Sequence, residues 1–374
     1  MNIAIFCIYA VVAFVGILFL SLREFHMLQL NGYKLPEHSW WMKKNFKRYI
    51  LPIALFLGQF SLLILSGTAF TVVLAILSLL NLAIIIANKP KKKFKKPLVY
   101  TDRVKRMLVT FYVLIAIIYA LSIIFGNKDC CTWFKNPVSF ILVGSALYLT
   151  PLLVVMSNII NKPIEKSIQK WYINDAKRIL ADMPDLHKVG ITGSYGKTSM
   201  KFYLSELLSS QYNTLKTPES YNTPMGVTIT VRNHLKPTHE YFICEMGARR
   251  IREIKELCDI ANPHDGIITS VGPQHLETFN SIENVLNTKF ELADSVQKTG
   301  GKIYLNGDNE LIRKKAPEYK GAILYGVHES CDYRAKDVTV SDKGTEFTIM
   351  TPNGNSYRYT TKLLGEHSVQ NLVG

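Results

Sequence analysis

The chain has 374 residues, a formal net charge of +15 and 48% hydrophobic residues. That length allows two or three domains, and the charge alone would admit a nucleic-acid binder. Its six cysteines, Cys7, Cys130, Cys131, Cys244, Cys258 and Cys331, form no C-x-x-C pair, so neither a zinc site nor a disulfide framework is indicated.

The first part of the chain reads as membrane. Nearly uncharged apolar runs fall at about 3–20, 50–66, 69–87, 107–126 and 137–156, each near the roughly 20 residues that cross a bilayer. The run at 50–66 is the weakest, being short and holding Gln59. No basic stretch precedes residue 3, so the first run reads as an uncleaved span.

Basic residues sort by loop. Arg23, Lys34, Lys43, Lys44, Lys47 and Arg48 lie between the first two runs, and Lys89, Lys91, Lys92, Lys93, Lys95, Lys96, Arg103, Lys105 and Arg106 between the third and fourth. The connection at 67–68 has none, and 127–136 has only Lys128 and Lys135. The positive-inside rule then predicts five spans, the N-terminus outside, and everything after about residue 157 in the cytoplasm. Much of the excess charge is therefore topological. The Lys89–Lys96 run, with Phe94 its only aromatic, fits anionic membrane lipid better than nucleic acid.

Residues 161–187 read as a linker helix, with Ile164, Ile168, Trp171 and Ile179 among its apolar positions. The remainder, 188–374, alternates strand and helix patterns. Strands are predicted at 189–191, 241–244, 266–271, 302–305 and 322–325, with helices after 198, at 251–257 and from Ser281 to about Val296. This predicts a mostly parallel, doubly wound α/β sheet. A small antiparallel meander follows at 338–340, 346–350 and 357–361, turning at Asp342-Lys343-Gly344 and Asn353-Gly354. The chain stops at Gly374, just inside what reads as a new helix.

The chemistry centres on Gly193-Ser194-Tyr195-Gly196-Lys197-Thr198. A strand, a glycine loop and a helix N-terminus form a cradle for polyphosphate, because backbone N–H groups and the helix dipole favour the anion. Lys197 is placed to neutralise terminal phosphates and Thr198 to ligate Mg²⁺, so the loop reads as an ATP site.

Other polar residues follow strand ends, where open α/β sheets collect ligands. Glu245 ends the strand at 241–244, His275 follows that at 266–271, and Asn306 and Asp308 follow that at 302–305. A carboxylate and an imidazole beside a phosphate loop point to a second divalent-cation site. Lys289 lies three and four residues after Leu286 and Val285, on the apolar stripe facing the sheet. A lysine there either snorkels to an edge or functions with its charge matched or its amine neutral.

The run 192–198, with Tyr221-Asn222-Thr223-Pro224-Met225-Gly226, Glu245-Met246-Gly247-Ala248, Gly272-Pro273-Gln274-His275-Leu276-Glu277 and Lys289, resembles the Mur ligases. Within them it resembles the branch that adds D-alanyl-D-alanine to a peptidoglycan precursor. Leu364-Gly365-Glu366-His367-Ser368-Val369-Gln370-Asn371 is similar to the adenine-side motif of that family's central domain.

The resemblance implies a central ATP-binding domain over 188–374 behind a membrane region at 1–160. It implies an ATP- and Mg²⁺-dependent peptide ligase forming an acyl phosphate on a cell-wall precursor at the cytoplasmic membrane face. Lys197, Lys289 and His275 take catalytic roles, Lys289 as a carbamylated lysine. Thr198, Glu245 and His275 hold metal, Asn371 lies near adenine, and Asn222 with Thr223 contacts substrate. The partners implied are a peptide-bearing precursor and an amino acid or dipeptide.

Two departures from the family pattern matter. Five membrane runs stand where the family has a uridine-nucleotide domain. The family's C-terminal domain, which brings in the amine, is not found up to Gly374, so a fragment ending there is expected to be inactive alone. Two alternatives remain: a membrane-associated polymer ligase of the poly-γ-glutamate type, or a non-ligase membrane protein with a P-loop regulatory domain.

Overall fold

The computed structural model describes residues 3–65, 67–87, 96–125 and 136–374. Cys130, Cys131, Lys128, Lys135 and the basic run from Lys89 to Lys95 lie outside the described residues. The chain divides into two compact units, Met1–Ser167 and Ile168–Gly374.

The first unit is helical: α1 (Ile3–Leu30), α2 (Leu35–Lys44), α3 (Ile50–Gly58), α4 (Gly67–Ala87), α5 (Asp102–Phe125), α6 (Pro137–Tyr148) and the start of α7 (Thr150–Ala181). Tyr9, Ala13, Ile17 and Leu20 make the buried stripe of α1, and Met107, Phe111 and Ile115 that of α5. The opposite faces are apolar too, with Ile8, Val11, Phe19, Val109, Val113 and Ile117 exposed. A helix apolar all round belongs in a large core or a bilayer.

Among the described residues, three helical segments are long and apolar enough to cross a membrane: Cys7–Leu30, Phe46–Leu63 and Asp102–Phe125. A fourth exists only if Pro137–Tyr148 and Thr150–Ala181, bent by 70°, count as one span. The third run, expected at 69–87, forms a shorter apolar helix at Thr68–Ile84. The expected span at 137–156 is thus broken near its middle. Pro151 cannot donate the helical hydrogen bond that would continue α6 into α7. Gln59, which weakened the second run, is fully buried and donates its amide to Ser145 Oγ at 2.9 Å. The predicted linker helix at 161–187 is the latter part of α7, which begins at Thr150, continues through Pro163 and stops at Ala181.

The second unit is built on one nine-stranded sheet. Its strands are β1 (His187–Thr192), β2 (Thr214–Lys216), β3 (Tyr241–Glu245), β4 (Asp265–Ile268), β5 (Ile303–Asn306), β6 (Ile323–Gly326), β7 (Tyr333–Ser341), β8 (Gly344–Met350) and β9 (Ser356–Thr361). The order is β2-β3-β1-β4-β5-β6-β7-β8-β9, parallel from β2 through β7 and antiparallel beyond. The expected antiparallel meander is β7-β8-β9, and it joins the main sheet because β7 pairs parallel with β6. β4 ends at Ile268, short of the predicted residue 271, because Thr269 and Ser270 turn aside to hold the glycine loop.

Helices cover both faces. They are α8 (Lys197–Ser209), α9 (Pro224–His234), α10 (Glu253–Ala261), the short α11 (Leu276–Phe279), α12 (Ile282–Thr299), α13 (Glu310–Lys315) and α14 (Glu366–Val373). Phe242 and Cys244 pack with α9, α10 and α12 in one core, while Val189 and Ile191 face Met200 of α8 in another. β1 lies between β3 and β4, so the chain leaves it in one direction and later returns on the other side. That is a topological switch point, where a crevice opens beyond the carboxyl ends of the strands.

Ser281 starts α12 by accepting from Asn284 N at 3.1 Å, and Gly300 ends it in the left-handed region at φ +72°. Ser281→Ala should cost about 1 kcal/mol, read as a drop in melting temperature of about 2–4 °C.

Candidate active site

Residues 193–196 follow β1 directly at the switch point. Gly193 has φ +155°, and a Cβ there would meet Thr269 Oγ1 at 2.1 Å and Ser270 N at 2.9 Å. Gly196 caps α8 in the left-handed region at φ +81°. Ser194 N donates to Ser270 O at 2.8 Å, Tyr195 N to Ser270 Oγ at 2.7 Å and Thr269 Oγ1 to Tyr195 O at 2.6 Å. The loop is thus stapled to the end of β4 before any ligand arrives. The first turn of α8 leaves N–H groups without intrahelical acceptors.

Lys197 folds back over this loop, donating to Gly193 O at 2.6 Å and Ser194 O at 3.1 Å. Burial lowers its pKa, an effect the charge of Glu245 opposes. Thr198 Oγ1 lies 3.1 and 3.2 Å from the two carboxylate oxygens of Glu245. Asn222 Nδ2 donates to Glu245 Oε1 at 3.0 Å, and Lys201 Nζ lies 2.9 Å from Oε2. Thr217 Oγ1 fixes the backbone by accepting from Glu245 N at 3.1 Å. One buried carboxylate therefore joins β3, the first turn of α8 and the segment before α9.

Gly247 admits Asn222 to this cluster. A Cβ at 247 would stand 2.8 Å from Asn222 Cγ, and Gly247 N donates to Asn222 O at 2.8 Å. Gly247→Ala should push the Asn222 amide off Glu245 and lower kcat/KM about 10- to 100-fold. Asn222→Ala should lose a similar factor, and the double variant no more than either, because both changes break one bond. Thr223, expected beside Asn222 as a substrate contact, spends its hydroxyl capping α9 by accepting from Gly226 N at 3.2 Å.

Lys289 is 2% exposed on the buried stripe of α12. Burial, followed by the charge of Lys197, lowers its pKa to about 7, against opposing fields from Glu253 and Glu291. A large fraction of this amine is thus neutral near pH 7. His275 opens α11 with φ +55°, and its Nδ1 lies 4.0 Å from Glu277 Oε1. Among the described residues no hydrogen bond or ion pair joins His275 to Glu245, and no group of three His, Cys, Asp or Glu could hold a metal ion.

On the other side of the loop a cleft of about 430 Å³ is lined by Tyr195, Gly196, Thr269, Asn306, His367 and Asn371. The Asn371 side-chain oxygen lies 3.1 Å from the position a Cβ on Gly196 would take. Asn306 Nδ2 donates to Thr269 O at 2.7 Å, and Asp308 accepts from Val327 N and His328 N. These two strand-end residues brace the cleft.

The donor set fits both expected ligands. A cleft lined by the Tyr195 and His367 rings and by amide side chains, beside a glycine loop and a helix N-terminus, suits a nucleoside polyphosphate. For a magnesium ion, Thr198 and Glu245 offer adjacent hard oxygens, and such ions commonly take one or two carboxylates with phosphates and water rather than a protein cage. Sequence reasoning missed Lys201, although a signal existed. It lies four residues after Lys197 and three before Leu204, on the inner face of α8.

Residues 191–374 match the family model described as the Mur ligase middle domain. The chain is 32% identical over 195 residues to the UDP-N-acetylmuramoyl-tripeptide–D-alanyl-D-alanine ligase of Buchnera aphidicola, covering 52% of this chain and 42% of that protein. It is 33% identical over 185 residues to the ligase of the same name from Bacillus subtilis, covering 50% and 39%. Among solved structures, MurF from Thermotoga maritima in complex with ADP aligns with a TM-score of 0.51 at 27% identity, covering 55% of this chain and 47% of that one. The chain spans less than half the length of these relatives. The unit that carries the glycine loop and the buried carboxylate is thus the part of the chain that is similar to the Mur ligase middle domain.

Proposed function

We infer that the protein is an ATP-dependent amide-bond ligase of peptidoglycan synthesis, joining D-alanyl-D-alanine to a precursor peptide. The observation that carries this reading is the shared carboxylate. Glu245 touches the loop threonine Thr198 and the candidate substrate contact Asn222, so the phosphate cradle and the acyl side of the reaction meet at one buried group. The similar ligases named above and the ADP complex support the substrates and the nucleotide.

The reaction must bring a carboxylate to an anionic triphosphate. It attacks the γ-phosphorus, ADP leaves, and the acyl phosphate is then opened by an amine with release of phosphate. Lys197 supplies positive charge at the loop, and the first turn of α8 presents N–H groups to the oxygens. Thr198 and Glu245 would hold a magnesium ion, which supplies charge neutralisation at the phosphates. Asn222 orients Glu245. The half-neutral amine of Lys289 suits addition of carbon dioxide, with loss of a proton to solvent, to give a carbamate; that carbamate and His275 would supply further ligands for a divalent cation.

In this reading the helical unit lies in the cytoplasmic membrane and the ligase domain in the cytoplasm. Its apolar outward faces and the sorting of Lys and Arg between the runs support this. That position favours a precursor presented at the membrane surface. Full-length protein in detergent should hydrolyse ATP only when a precursor peptide carboxylate and an amine are both present. ATP turnover indifferent to that pair would favour a P-loop switch instead.

A further inference from the structure

Lys201 is 0% exposed and its only carboxylate partner among the described residues, Glu245, is 1% exposed, with 2.9 Å between them. The ammonium also donates to the backbone carbonyl of Glu219, a residue with φ +38° in the segment between β2 and α9. The ligase reading above makes no use of this lysine. Burying such a pair is weak evidence for a gain in stability, since desolvation offsets much of the attraction.

Its electrostatic consequence is sharper. The carboxylate at the mouth of the loop is matched by one ammonium, and Lys197 adds a second positive charge that Glu245 feels. A divalent cation approaching this cluster without nucleotide meets no net negative charge. A bound triphosphate reverses that sign. We propose that Lys201 is a positioning residue that makes cation capture at Glu245 conditional on nucleotide: it holds the carboxylate in place and cancels its charge until phosphates arrive. The inference rests on the reading of the loop as an ATP site.

The test measures Mn²⁺ binding to the full chain in detergent by the paramagnetic resonance of free Mn²⁺, with and without a non-hydrolysable ATP analogue. Wild type should retain Mn²⁺ only with the analogue. Lys201→Met should bind Mn²⁺ about tenfold more tightly without nucleotide, the scale expected for removing one charge several ångströms from a divalent ion. Lys201→Gln, which keeps a donor for the Glu219 carbonyl, should do the same and carries the test should the methionine variant fail to fold. Adding Glu245→Gln should abolish the gain, and Lys201→Arg should stay nucleotide-dependent. Unchanged Mn²⁺ affinity in a folded Lys201→Gln protein would overturn the inference, as would equal uptake by wild type with and without analogue. Analogue binding without metal, measured on the same samples, separates the two levels: its loss sinks the ATP-site reading, whereas binding with unconditional Mn²⁺ uptake sinks only the role of Lys201.

Discussion

Lys289→Ala should lower ligase turnover by about two orders of magnitude or more, the range seen when one preorganised charge is removed from an active site. If Lys289 acts as a carbamate, short carboxylic acids should restore part of that activity by supplying the missing carboxylate. Two further readouts tie the effect to the amine. Because its pKa is lowered to about 7 from an ordinary 10.5, the neutral form that adds carbon dioxide grows as pH rises through 7. Stimulation by bicarbonate should therefore strengthen across that point.

The same shift sets a stability slope. Folding expels a proton from Lys289 between about pH 7 and 10.5, so the unfolded chain binds more protons there and stability rises with pH across that window. Below about pH 7 the penalty is fully present. Lys289→Met should consequently melt higher than wild type at pH 7 while losing activity, a trade common where function requires a buried polar group. Rescue by acids and a raised melting temperature together would not follow from a purely structural lysine.

Lys197→Ala should have the second large effect, a loss of about 10²–10³-fold in turnover together with weakened nucleotide binding. The side chain supplies the loop's charge and also bonds the carbonyls of Gly193 and Ser194. Removing it frees two loop acceptors and leaves the phosphates unscreened. Lys197→Arg should recover little, because a planar guanidinium cannot reproduce a compact ammonium seated on two carbonyls. Circular dichroism of both variants should match wild type, which separates this loss from unfolding.

Local chemistry explains which parts of the molecule were legible in the sequence. The glycine loop, its flanking strand and α8 are contiguous, and the stripe that buries Lys289 has helical spacing from Val285 to Val296. Ser281 announces its cap three residues ahead of Asn284. What escaped depends on distant pairing. β2 is three residues long and exists by hydrogen bonding to β3, and nothing near Tyr333 announces that β7 will join β6 in parallel. The spacing of Lys201 puts it on the inner face of α8, but its partner Glu245 lies far along the chain and only the fold brings the two together. Pro151, by contrast, was a local signal for the break in the run at 137–156, and apolar composition masked it.

The central claim is that the phosphate loop and the Glu245 cluster serve transfer of phosphate to a carboxylate. Supplying the precursor with ¹⁸O in its terminal carboxylate, together with ATP and D-alanyl-D-alanine, tests it most directly by mass spectrometry of the products. Each phosphate released should carry one ¹⁸O, and the new amide should keep the other. Phosphate bearing oxygen from water alone, with the carboxylate still doubly labelled, would contradict it.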